Sequence, residues 1–164
     1  MEVLKYPDPR LLTPCKEVTS FGLELKVLLE GMWETMKREH GMGMAANQVG
    51  LEHNMFVMSG PNDGDDKNFF INPKILEVGK YPCDRAEGCL SAPDQLLKLY
   101  RPDWVTISYQ DSQGNPHTGT FVGIYSVCVQ HEMEHLEGKS FLQNKGIPKR
   151  TRITLAKKWG LPIK

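Results

Sequence analysis

No run of about 18 apolar residues occurs in this 164-residue chain, so nothing in it reads as a transmembrane helix. The segment Met1 to Arg10 lacks an apolar core and carries Pro7 and Pro9 instead. That excludes a secretory signal there, gives no indication of organellar import, and sets a cytoplasmic location as the expectation. Cysteine is scarce: Cys15, Cys83, Cys89 and Cys128 are irregularly spaced and, without an export signal, are read as thiols rather than a disulfide framework. No Pro/Gly/Ser-rich linker and no internal repeat divides the sequence, so one compact domain over 1–164 is expected. Acidic residues are absent after Glu137, where Lys139, Lys145, Lys149, Arg150, Arg152, Lys157, Lys158 and Lys164 give the 139–164 tail a charge of +8. Since the formal net charge is zero, the rest carries −8. A basic tail on an acidic body can touch RNA or an acidic surface, although such a run is more often a solvated face.

What the chain does contain is Gln130-His131-Glu132-Met133-Glu134-His135-Leu136-Glu137-Gly138. Histidines four residues apart share one face of an α-helix, so both imidazoles can reach one metal ion while Glu132 reaches a water on it. Two solvated helix histidines are the plainer reading of so short a pattern. Upstream, Ile124, Val127 and Cys128 precede His131 at i, i+3, i+4, i+7 spacing, which places an apolar patch against the metal.

Residues 1–20 read as an extended arm, punctuated by Pro7, Pro9 and Pro14, that wraps the domain. From Gly22 to Glu39, Leu25, Leu28, Leu29, Met32 and Met36 recur at helical spacing and predict an amphipathic helix ended by His40 and Gly41. The small-residue run from Gly41 to Gly50 formally matches a dinucleotide-binding fingerprint with alanine last. That fingerprint needs a strand before and a helix after, whereas here a helix precedes and the strand-like Asn54–Ser59 follows. Small residues in a row otherwise mean close approach by another backbone or a ligand.

Pro61–Asp66 reads as an acidic turn, Asn68–Val78 as a strand broken at Pro73, and Gly79–Pro82 as another turn. Trp104–Gln110 and His117–Phe121, joined by the Asp111–Pro116 turn, form a hairpin that feeds into the histidine helix. Gly138 stops that helix, and Pro148 opens a last, short basic helix that ends before Gly160. The order predicts an α+β fold: antiparallel β-sheets around a central HExxH helix, with an N-terminal amphipathic helix and a short basic C-terminal one.

A catalytic zinc-like centre needs a third protein ligand and an open position. Beyond His135 the sole carboxylate is Glu137, roughly 200° round the helix, so the ligand comes from upstream. Cys15, Cys83, Cys89, Cys128, His40, His53, His117 and several carboxylates are candidates. Cys128 lies one turn before His131, but a lone apolar-face cysteine is usually core. Cys89 has better company in Gly88, which admits close backbone approach, and Leu90, which would offer its N–H beside the metal.

Three stretches together, Gly41-Met42-Gly43-Met44-Ala45-Ala46-Asn47-Gln48, Glu87-Gly88-Cys89-Leu90-Ser91 and Gln130 to Gly138, resemble the signature motifs of peptide deformylases, in order and at similar separations. The resemblance extends to Tyr6-Pro7-Asp8-Pro9-Arg10-Leu11 and Ile71-Asn72-Pro73, nearly the whole chain. It implies Cys89, His131 and His135 as metal ligands and Glu132 as acid/base in removing the formyl group from the N-terminal methionine of nascent polypeptides. Gln48 and the Leu90 N–H would be the oxyanion donors. Met42, Gly43 and Gly88 would pair with the extended substrate, and Met42, Ile124, Val127 and Cys128 would line the hole for its methionine. The resemblance favours iron(II), while a thiolate–imidazole set also admits zinc, nickel or cobalt.

Glu134 stands where the family usually has aspartate, and Met42 and Met44 where it has aliphatic residues. Arg85 and Leu96 replace what are more often an apolar and a basic residue, which affects the substrate pocket rather than the chemistry. Two competing readings are a metallopeptidase and a non-catalytic module docked on the ribosome through the basic tail, its metal closed by Cys83 or Cys128.

Overall fold

The computed structural model describes residues 1–61 and 66–163, so the acidic turn expected at 61–66 falls, at 62–65, outside the described residues. Helix α1 (Leu23–Arg38) buries Leu25, Leu29, Met32 and Met36 and leaves Val27 exposed, as the apolar spacing requires. It is stopped one residue earlier than its glycine: His40 takes the left-handed conformation (φ 57°) and donates its N–H to the Lys37 carbonyl. Gly41 serves a different purpose, since a Cβ there would lie 2.8 Å from Leu90 Cδ1.

Among the described residues seven strands follow: β1 (Gly43–Ala45), β2 (Met55–Ser59), β3 (Lys67–Val78), β4 (Pro82–Cys89), β5 (Ala92–Pro102), β6 (Trp104–Gln110) and β7 (Pro116–Val122). They form a five-stranded sheet in the order β1-β2-β3-β6-β7 and a separate β4-β5 ladder, every pair antiparallel. Strand β3 runs through Pro73 instead of breaking there. The register against β6 shifts between Ile71 and Lys74, and Asn72 (φ 51°) accepts the Val18 N–H and donates to the Val18 carbonyl through its side chain. Proline, lacking an N–H, sits where the ladder does not need one.

Neither β4 nor β5 was expected as a strand from the sequence, and Pro82 opens a strand instead of closing a turn. Their inward positions include Glu87 and Arg101, both buried, so no apolar alternation marks them. In the final stretch, β6 and β7 lead through Gly123 into α2 (Ile124–Leu136), which touches strands of both sheets, and α3 (Lys149–Trp159) follows. Phe56, Phe70, Val105 and Ile107 pack on Val129, Met133 and Leu136 of α2. A second cluster joins Leu155 and Ala156 of α3 to Tyr6, Leu99, Phe141 and Leu142. Among the described residues no helix is long and apolar enough to cross a membrane.

The N-terminal arm does wrap the domain, and Gly138 lets it pass. That residue has φ 68°, and a Cβ would lie 2.7 Å from the Leu12 carbonyl oxygen and 2.9 Å from Pro14 N. The arm is pinned beside it by the Cys15 N–H donating to Leu136 O at 2.8 Å. Gly138→Ala is expected to cost about 2–4 kcal/mol, from left-handed strain and displacement of backbone that cannot yield like a flexible side chain. A lower urea midpoint at unchanged m-value will register it; an unchanged midpoint would mean the arm moves aside freely.

Candidate active site

Cys89 closes β4 at the tip of the β4–β5 hairpin, and His131 and His135 lie one turn apart on α2. Their ligating atoms all fall within 4.8 Å of one another, with Cys89 Sγ 3.2 Å from His135 Nε2. This set of one sulfur and two ring nitrogens suits a divalent transition metal. His131 Nδ1 is 3.0 Å from Glu87 Oε2, an arrangement that fixes the ring and leaves its other nitrogen for the centre. The Asn47 amide donates to the His135 carbonyl at 2.5 Å, tying the residues after β1 to the end of α2.

Behind His131 lies a buried ionic chain. The Arg101 guanidinium grips Glu87 in a two-pronged contact of 2.6 and 3.0 Å and also donates to Glu134 Oε2 at 3.0 Å. Asn144 caps the chain through Glu134 Oε1 at 3.1 Å. Burial alone raises the Glu87 carboxyl, but the bonds from His131 and Arg101 outweigh it and hold the group below its ordinary range. Burial disfavours charge on both histidines. At His131 the contacts with Cys89 and Glu87 reverse that and raise its pKa, whereas burial together with the His131 and Arg101 charges takes His135 well below its usual value.

Two of the three donors, Cys89 and His131, border a cavity of about 510 Å³. Glu132, Gln48, Leu90, Cys89 and His131 line it, as do Met42, Gly43, Gly88, Ile124, Val127 and Cys128; His135 lies behind, fully buried. Burial pushes the Glu132 carboxyl up to about 7 despite the opposing His131 charge, and its Oε2 has no hydrogen-bond partner. A buried, unpartnered carboxylate oxygen on a cavity wall marks a place where a ligand or water belongs. Gly43 makes this possible, because a Cβ there would sit 2.6 Å from Cys128 Sγ and 2.7 Å from Glu132 Oε1. Gly88 is less crowded than expected; its nearest neighbour is a side chain, Leu96 Cδ2 at 3.3 Å from the Cβ position. Gln48 Oε1 accepts the Ala45 N–H at 2.9 Å, turning Nε2 toward Ser91 Oγ (3.2 Å) and Cys89 Sγ (3.6 Å).

Among the other ligand candidates, Cys83 Sγ accepts from Arg85, His117 meets Asp111, and His40 lines the cavity outside the donor group; Glu137, already set aside, is exposed and pairs with Lys139. Cys128 lines the cavity without joining the donor group, and the run Gly41–Gly50 forms a short strand and a 3-10 turn rather than a strand-to-helix phosphate loop. Sequence reasoning missed the Glu87–Arg101–Glu134 chain and the arm's part in the site. Lys5 Nζ donates to the Leu90 carbonyl at 2.5 Å, Leu4 N–H to Gln48 O and Tyr6 N–H to Ser91 O. Nothing in their periodicity distinguishes these residues from surface ones.

The sequence model of the polypeptide deformylase family matches residues 1–151. Peptide deformylase 1 of Shewanella oneidensis is 38% identical over 153 residues, 93% of this chain and 90% of the relative. A peptide deformylase structure from Legionella pneumophila superposes with a TM-score of 0.88 at 30% identity, covering 97% of this chain and 92% of that one. One from Thermotoga maritima gives 0.82 at 34% identity, over 87% and 95%. With three α-helices and antiparallel sheets among its described residues and these likenesses over most of its length, the chain belongs to the polypeptide deformylase family.

Proposed function

We propose that Cys89, His131 and His135 hold one divalent ion and that Glu132 moves the protons as this chain removes the N-formyl group from new polypeptides, the reaction of its family. The observation that carries this reading is the convergence of those three donors beside the unpartnered Glu132 Oε2. When bound, an ion held by one thiolate and two imidazoles acidifies water toward a pKa of about 7 and polarises the formyl group. Glu132 takes the proton of the attacking water and passes it to the departing nitrogen, which leaves as an amine. Negative charge developing on the formyl oxygen meets Gln48 Nε2 and the Leu90 N–H, each worth roughly 3–4 kcal/mol as an oxyanion donor. Both are braced in place, Gln48 by Ala45 and the Leu90 turn by Lys5 and Tyr6.

The backbone of Met42, Gly43 and Gly88 pairs with the extended substrate. Its methionine side chain enters between Ile124, half-exposed at the mouth, and the buried Val127 and Cys128, with Met42 alongside. The α2 helix is thus the central, metal-binding HExxH helix of one domain spanning 1–164. Iron(II) is the native ion in this reading, with zinc, nickel or cobalt as substitutes. The enzyme works in the cytoplasm, where basic α3 and the tail contact the ribosome.

Formate release from a formyl-methionyl peptide is the test, with the same peptide unformylated as control. Release is expected only from the formylated peptide, lost on chelation and restored by anaerobic iron(II). Cleavage of internal peptide bonds would favour a metallopeptidase, and metal binding with no hydrolysis the docking module. Undiminished activity after prolonged aerobic handling without metal exchange would count against iron. Unchanged ribosome binding after neutralising Lys149, Arg150 and Arg152 would remove the ribosome from the reading.

A further inference from the structure

The β4–β5 ladder holds an irregularity that the chemistry above leaves unused. Glu87 pairs with Leu97 and Cys89 with Ala92, so Gly88 alone stands opposite Pro93, Asp94, Gln95 and Leu96. This bulge folds back over Gly88, whose Cβ position is 3.9 Å from the Gln95 carbonyl oxygen. Asp94 within it has φ 62°, a left-handed turn conformation that aspartate tolerates better than most non-glycine residues. Pro93 and Asp94 line the cavity.

The last turn of α3 touches the bulge. Gln95 Oε1 accepts Lys158 Nζ at 2.8 Å and lies 3.5 Å from Trp159 Nε1. The Lys158 ammonium sits over the Trp159 ring, and that ring packs in the same cluster as Cys89, Ala92 and Leu97. Most of α3 lies beyond residue 151, where the family match ends, yet it contacts Gln95, the neighbour of the cavity-lining Asp94.

We propose that Gln95 is a positioning residue for substrate: through it, α3 fixes the 93–96 bulge as a wall for the peptide that follows the formyl-methionine. This rests on the deformylase reading, which takes the formyl group to Glu132 and the methionine side chain toward Val127 and Cys128, leaving the Pro93–Asp94 side for the following residues. A loosened wall weakens binding of those residues without disturbing the reacting atoms, so KM rises while kcat stays.

The experiment compares formyl-methionyl tripeptides with formyl-methionine amide, which has no following residues. Gln95→Ala is expected to raise KM about fivefold for the tripeptide at unchanged kcat and to leave the amide untouched. Gln95→Glu, which keeps an acceptor oxygen for Lys158, restores the wild-type KM. Lys158→Met matches Gln95→Ala, and the double variant is no worse than either, as for partners in one contact. Hydrogen exchange on the metal-free proteins is expected to quicken at 93–97 in Gln95→Ala. Equal effects on both substrates, a fall in kcat alone, failure of Gln95→Glu to rescue, or unaltered exchange would each overturn the proposal. Absence of formate release from metallated wild type would instead defeat the deformylase reading, and exchange would still decide whether α3 braces the bulge.

Discussion

Glu132→Gln is expected to lower formate release at least about a hundredfold while metal content stays that of wild type, the loss typical of removing a positioned proton carrier. The amide fits the same space but cannot accept a proton, so the substitution separates chemistry from shape. The same variant carries an opposite expectation for stability. Burial raises this carboxyl from 4.5 to about 7, so its contribution to stability is fully present below about pH 4.5 and disappears as pH rises through 7. The neutral amide escapes that loss. Metal-free Glu132→Gln is therefore expected to unfold later than wild type above pH 7, by up to about 3 kcal/mol, with the difference vanishing in acid. A variant less stable than wild type at every pH would show that the buried carboxylate has a partner in solution.

Arg101→Met is expected to cost about 3–5 kcal/mol, because it strips the shared cation from Glu87 and Glu134 and leaves a carboxylate at the centre of the fold. The Arg101 and Glu87 side chains are only 5% and 4% exposed, so water cannot replace the contact. Glu87 also orients His131, and metal affinity is expected to fall about 10–100-fold. The deficit should shrink in acid. Glu87 is held below its ordinary pKa, so its bonds stabilise the fold above about 4.5 and cease to do so as pH falls through the depressed value. Protonated Glu87 needs Arg101 less, and the urea midpoints of variant and wild type should converge there. A deficit independent of pH would place the cost in lost packing of the guanidinium rather than in charge. Arg101→Lys should recover part of the stability, since a point charge cannot reproduce the fork to Glu87 together with the reach to Glu134.

The features legible in the sequence are those with a short-range signature. The spacing of Leu25, Leu29, Met32 and Met36 yields α1, and the alternation before and after Asp111 yields β6 and β7. The four-residue interval of His131 and His135 puts two rings with centroids 5.0 Å apart on one face. The deformylase likeness of three separate motifs pointed to their being neighbours, which the cavity makes them. The strands β4 and β5 escaped notice because Glu87 and Arg101, read singly, look like surface charges; each is tolerated inside only because the other is there. The N-terminal arm read as featureless, yet its backbone and Lys5 hold both Gln48 and the Leu90 turn.

By itself the sequence determined the elements whose reason lies within one turn or one hairpin: the helix that carries two imidazoles, the apolar stripe ahead of them, and Gly138, which ends the helix in a left-handed turn. Cys89, 42 residues before His131, was reached only through its likeness to a family motif, and tertiary structure alone decided that Arg101 is shared between two carboxylates from different elements and that α3 reaches back to Gln95. Local pattern records how a residue meets neighbours three or four positions away. Contacts across the fold depend on burial and charge compensation between distant segments, which no single segment encodes.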